Sequence, residues 1–137
     1  MNDALTELKF EGYEEKTENL TYILVKVAGT DLTGSEELGN FGSLEKFINE
    51  KIGIKDIESV VIDFTNLTGM IDSPAVGSLA ALYREKDIVI YGLEKTKGNL
   101  IQKCSKVPVV ENKEQALQTL LYYGVIRNMA PPDNSAQ

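Results

Sequence analysis

The chain contains no histidine, which excludes a Ser-His-Asp or Cys-His arrangement, a histidine metal site and a phosphohistidine relay. Carboxylates are plentiful, but no two are spaced in a way that pairs them across an active site, so surface solvation is their default role. Gly92-Leu93-Glu94-Lys95-Thr96-Lys97-Gly98 lacks the Gly-Lys-Ser/Thr ending of a phosphate loop, and the glycines at 29, 34, 39 and 42 do not fit a dinucleotide fingerprint. Cys104 is the single cysteine, so no internal disulfide can form; its neighbours Leu100, Ile101 and Val107 predict that it packs in the core. No catalytic residue, metal ligand or cofactor-binding residue is predicted. What remains is the triplet Asp72-Ser73-Pro74, at the junction of an apolar run and a helical pattern. There the Ser73 hydroxyl suits a helix N-cap, and Pro74 loses nothing at a first-turn position that needs no N–H.

The elements around that junction read as an alternating α/β chain. Leu5 to Tyr13 alternates partially, Glu14 to Asn19 reads as a polar turn, and Leu20 to Val27 is rich in β-favouring residues, so an opening hairpin is expected. Gly29 to Asn40 is loop-like, with Thr33-Gly34-Ser35-Glu36 a candidate capping box. Leu44, Phe47, Ile48 and Ile52 then fall at helical spacing, with Ser43 as the expected cap and Gly53 as the terminator. Ser59 to Phe64 is β-branched and apolar on both faces until Asp63, the pattern of a central strand covered by helices. A helix follows from Ser73 or Pro74 to about Glu85, then a strand from Asp87 to Tyr91 ended by Gly92. A short helix is expected from Asn99 to Lys106 and an edge strand at Pro108 to Val110. A last helix from Lys113 to Tyr122 should have Ala116, Leu117, Leu120 and Leu121 inside, with Asn112 and Gln115 at its cap. Alternation of strand and helix from residue 59 onward implies parallel strands with right-handed crossovers beside the antiparallel hairpin.

At 137 residues the chain is the size of one domain able to bury its own core. Residues 1–127 are expected to form it, with 128–137 a flexible tail because Pro131-Pro132 interrupts any apolar period. The start lacks the basic and apolar runs of a secretory signal, and no apolar stretch reaches the length of a membrane span; a cytoplasmic setting is expected. There the glycosylation triplets beginning at Asn19 and Asn66 mean nothing. A formal net charge of -7 repels phosphate backbones and anionic membranes, which argues against nucleic acid as a partner and against membrane insertion. Lys95, Lys97, Lys103 and Lys106, interrupted by Glu94 and followed by Glu111, read as a solvated face.

Placed at helical intervals, Ala75, Val76, Leu79, Leu82 and Tyr83 share an arc that should meet the sheet. Pro74, Gly77, Ser78 and Ala81 share the opposite one, where an acidic protein would ordinarily carry Glu or Lys. Glycine inside a helix costs about 0.5–1 kcal/mol relative to alanine. A small, flat face lets a partner's backbone approach, so this arc is either a docking surface or an unremarkable exposed side.

The segment from Val60 to Tyr83 resembles STAS domains, the family of sulfate transporter and anti-sigma factor antagonist domains. The matching residues are Val60-Val61-Ile62-Asp63-Phe64, then Ile71-Asp72-Ser73, then Val76 and Leu79. The resemblance implies a STAS-like mixed sheet of about four to five strands flanked by helices. It also implies a non-catalytic cycle in which the unphosphorylated antagonist binds a kinase-type anti-sigma factor and phosphorylation of a serine at this helix start ends the binding. A phosphate would put roughly -1.5 to -2 charges into the contact surface, and a helix N-terminus would tolerate the anion. The sequence departs from the family at the decisive place: Pro74 stands where the family's phosphoacceptor serine is expected, and Ala75 where its glycine is. Ser73 and Ser78 are the remaining candidate phosphoacceptors, and a constitutive binder is the first-ranked alternative to them. Asp72, Ser73, Pro74, Gly77, Ser78 and Ala81 are the expected contacts with an anti-sigma factor or related serine kinase. A structural STAS-like subunit of a larger signalling or transporter-associated complex is the second reading.

Overall fold

The computed structural model describes residues 8–34, 40–55, 57 and 59–129. Five strands, β1 (Lys9–Lys16), β2 (Thr21–Gly29), β3 (Ser59–Leu67), β4 (Asp87–Tyr91) and β5 (Val109–Val110), form one sheet in the order β1-β2-β3-β4-β5. β1 pairs antiparallel with β2, and every later pairing is parallel. Among the described residues, four helices fill the connections and the end: α1 (Phe41–Lys55), α2 (Ser73–Glu85), α3 (Lys95–Ser105) and α4 (Lys113–Met129). The mixed α/β sheet and the central place of β3 are as the sequence implies. Among the described residues, no helix is long and apolar enough to cross a membrane.

The period of two along each strand divides the core. Ile23, Val25, Val60, Ile62, Ile88 and Ile90 point to one face, where they meet Leu44 and Ile48 of α1, Leu79 and Leu82 of α2 and Ile101 of α3. Tyr22, Leu24, Val61 and Val89 point to the other and meet Ala116 and Leu120 of α4. Because β2, β3 and β4 are covered on both sides, they read as near-continuous apolar runs. Asn112 accepts from the Gln115 amide at 2.9 Å while the Gln115 side chain accepts from the Glu111 amide at 2.8 Å, so both residues serve the start of α4, where the sequence puts its cap.

Several boundaries and placements differ from expectation. Glu14 to Lys16 continue β1, because the backbone ladder to Tyr22 and Thr21 outweighs their polarity. Ser43 lies inside α1, whose first turn instead hangs on the Asn40 carbonyl, and Gly53 lies within the helix it was expected to end. α3 begins at Lys95 rather than Asn99, since the Glu94 carboxylate accepts from the Thr96 and Lys97 amides. Gly98, just ahead of the helix as expected from the sequence, is instead buried inside it: a Cβ there would come 2.9 Å from Val109 Cγ1. α4 runs on to Met129, so Asn128 and Met129 belong to a helix and not to a tail; residues 130–137, like Ser35 and Glu36 of the candidate capping box, lie outside the described residues. Cys104 is exposed, contrary to the core position its apolar neighbours imply, because Ile101 and Ser105 take the inward side of α3.

Candidate functional site

The start of α2 sits where the chain leaves the C-terminal end of the central strand, and two loops lace it down. Leaving β2, the segment 30–34 runs beside 67–72, which leaves β3. Leu32 N–H donates to the Met70 carbonyl at 2.8 Å, Asp72 N–H to the Leu32 carbonyl at 3.1 Å, and Met70 N–H to Asp31 Oδ1 at 2.7 Å. Leu32 and Ile71 form an isolated parallel bridge, and Leu32 is fully buried. Two glycines make the close approach feasible. A Cβ on Gly69 would stand 2.1 Å from Asp31 Oδ1, and one on Gly34 would stand 2.5 Å from the Ala75 nitrogen.

Asp72, not Ser73, is the N-cap of α2. Its Oδ1 accepts from the Ala75 amide at 2.9 Å and from the Gly34 amide at 2.9 Å, while its carbonyl accepts from Val76 N–H at 3.0 Å. A carboxylate is the stronger acceptor at a helix N-terminus, where the macrodipole favours negative charge. The signal was legible as an Asp three residues before Ala75, but the adjacent serine and proline drew the reading one position on. Since Asp72 caps, the Ser73 hydroxyl is not the capping acceptor; Ser73 is the first helical residue and is exposed.

Pro74, Gly77 and Ala81 are exposed too, and a Cβ on Gly77 would meet nothing within 4 Å. Ser78 and Asp72 are half-buried. On the inner side Ala75, Leu79 and Leu82 are buried, while Val76 and Tyr83 pack against the core from partly buried positions. Of the six expected contact residues, four are thus exposed and two half-buried, and all lie on α2 or at its cap. Ser73 and Gly77 turn toward α3, where with Ile71, Val76, Leu100 and Ile101 they line a cavity of about 480 Å³ that Lys97 and Cys104 also border. Lys97 is not simply solvated: it is half-buried, and its ammonium donates to the Gly69 carbonyl. Sequence reasoning missed this α2–α3 groove because it placed Cys104 inside and began α3 after Lys97.

Below this end of the sheet, Asp63 Oδ1 accepts from the Thr65 amide at 2.8 Å and its Oδ2 accepts from the Tyr91 hydroxyl at 3.1 Å. Burial, then the Asp63 charge, pushes the Tyr91 hydroxyl up to about 12, so it stays a proton donor and the bond stiffens the exit of β3. Among the described residues, no group of three or more acidic or cysteine side chains is placed to hold a metal ion.

Solved structures give this architecture a precedent. An anti-sigma factor antagonist from Mycobacterium paratuberculosis superposes with a TM-score of 0.59 at 16% identity, covering 83% of this chain and 94% of that one. The chain has the fold of the anti-sigma factor antagonists. The unphosphorylated anti-sigma factor antagonist SpoIIAA matches its STAS-like fold with a TM-score of 0.54 at 15% identity, over 83% of this chain and 98% of that one. An uncharacterised protein with a SpoIIAA-like fold from Shewanella loihica matches with a TM-score of 0.50 at 17% identity, over 82% and 93%. No protein-family model and no curated protein matches the sequence. At these identities the likeness is one of fold, and function has to be argued from the site.

Proposed function

We propose that this STAS-like domain is a non-catalytic regulator that acts in the cytoplasm by binding an anti-sigma factor or related serine-kinase-like protein through the start of α2. The observation that carries the reading is the exposure of Ser73, Pro74, Gly77 and Ala81, four uncharged residues on a helix that follows the central strand and is fastened by Asp72 to Gly34 in the loop leaving β2. A helix presented this way offers its backbone closely to a partner, and no charged side chain among the four must be desolvated when the partner arrives. Pro74 supports a binder without the usual switch, since it has no hydroxyl to carry a phosphate. Regulation, where it operates, falls to Ser73, whose hydroxyl the Asp72 cap leaves out of the capping bond, or to the less exposed Ser78.

Co-purification from native lysate tests the reading. Gly77→Arg and Ala81→Glu should each abolish recovery of the partner while far-UV circular dichroism and thermal melting stay close to those of the parent chain. Undiminished recovery with both variants would contradict it. The same exposed Pro74 also admits the reading of a permanently held subunit, and native mass of the captured complex separates the two, because a switch exchanges partners and a subunit does not.

A further inference from the structure

The two edges of the sheet end differently. At β5 the Pro108 carbonyl turns inward to Ile90 N–H, so Val109 N–H turns outward, where it donates to the Gln102 side chain at 2.8 Å; the chain caps that edge itself. The other edge is β1, eight residues and about 27 Å long. Among the described residues, no strand pairs with its outer side. At the hairpin turn Thr17 N–H donates to the Leu20 carbonyl, and from there the register to β2 runs unbroken from Lys16↔Thr21 to Lys9↔Ala28. Alternate residues bond across such a ladder, so Lys9, Glu11, Tyr13 and Glu15 turn their backbone groups toward β2, while Phe10, Gly12, Glu14 and Lys16 turn theirs outward.

A row of outward amides is a template for another strand, and charge is the ordinary defence against it. β1 carries five charged residues, Lys9, Glu11, Glu14, Glu15 and Lys16, but their spacing is self-complementary. When two β1 strands pair antiparallel about Gly12, outward amides meet outward amides. Lys9 of each copy then stands opposite Glu15 of the other, Glu11 opposite Tyr13 and Phe10 opposite Glu14. Centring the pair on Glu11 sets Glu11 against its own copy, and centring it on Tyr13 sets Glu11 against Glu15 twice. Of these three registers only the one about Gly12 has no like charges directly opposed, the arrangement that destabilises a strand pair.

We infer that two copies of this chain associate through β1, joining their sheets across a two-fold axis at Gly12. Tyr13 is 45% exposed and donates its hydroxyl to Glu11 Oε1 at 2.7 Å within the chain; across the pair it meets a second copy of the same acceptor. Lys113 occupies Glu15 Oε1, which leaves Oε2 to Lys9 of the other copy. Phe47 lies over Gly12 and packs on Phe10 with ring centroids 5.4 Å apart, so each copy brings an apolar pair to the axis. α1 packs over β1 and β2 and α2 over β4, so the start of α2 stays open in the pair and the inference does not rest on the binding role proposed for it.

Sedimentation velocity of the full chain from about 10 μM to about 1 mM tests the association. The mass should rise with concentration from that of one chain toward that of two. Lys9→Glu sets a carboxylate against Glu15 at two symmetry-related places and should weaken association roughly tenfold. Glu14→Pro removes an outward N–H and no bond to β2, so it should weaken association at least as much while urea unfolding of the dilute chain changes little. Register is read by disulfide trapping in a Cys104→Ser background, because residues 11 and 13 of opposite copies would be a non-hydrogen-bonded pair about 4.5 Å apart at Cα, within disulfide reach. A mixture of the Glu11→Cys and Tyr13→Cys chains should cross-link faster than either alone. A single-chain mass at every concentration, association that both edge variants leave unchanged, or equal cross-linking of the mixture and its components would overturn the proposal.

Discussion

Asp72 Oδ1 accepts from two amides far apart in sequence, those of Ala75 and Gly34, so one carboxylate both starts α2 and pins the loop leaving β2 to it. Asp72→Ala removes both bonds and should cost about 1–2 kcal/mol in urea unfolding, whereas Asp72→Asn keeps an oxygen in place and should cost only a few tenths. Equal losses for the two variants would mean that charge, and not the acceptor geometry, holds the helix start. At the other side of the sheet, Glu15 Oε1 accepts from Lys113 Nζ at 2.7 Å and from the Tyr22 hydroxyl, tying β1 to α4. The Lys113 ammonium, and after it the Tyr22 hydroxyl, hold the Glu15 carboxyl below the usual carboxylate range. A folded-state pKa lowered in this way gives a stabilising contribution that is present above the unfolded value, about 4.3, and is lost as pH falls through the folded value. Lys113→Ala should raise the Glu15 pKa measured by NMR titration toward its ordinary value, and an unmoved titration curve would show that the ion pair does not form in solution.

α2 was the most legible element and its cap the least. Its apolar arc of Ala75, Leu79 and Leu82 and its end at Glu85 follow from helical periodicity, a property of the segment alone. Which of Asp72 and Ser73 caps it depends on the Gly34 amide, brought in from 38 positions away, and no local pattern carries that. α3 was misread for a related reason: Gly98 is inside the helix because Val109 of β5 presses on it, a tertiary contact that overrides low helix propensity. With α3 shortened, the groove beside α2 could not be seen. Gly77 has no such neighbour, so Gly77→Ala should stabilise the domain by about 0.5–1 kcal/mol in thermal or urea unfolding. A stabilised variant that binds its partner less well would show that the glycine serves contact rather than folding; a destabilised one would mean that Gly77 meets something inside the domain.

The mixed sheet, its antiparallel opening and its central β3 follow from element order, because alternating strands and helices leave few ways to cover both faces. What element order does not give is the distribution of charge over the folded surface. The chain as a whole is acidic, yet from Ser73 to Arg84 and from Lys95 to Ser105 the two helices hold no acidic residue, and the one charged side chain lining the groove beside Ser73 and Gly77 is Lys97. Hydrogen–deuterium exchange on the natively captured complex, compared with the free chain, reads the contact surface without any substitution. Protection concentrated in the amides of 73–81 is the expected footprint. A footprint on β1 or α4 that leaves those amides as fast as in the free protein would contradict the assignment of α2 as the binding element.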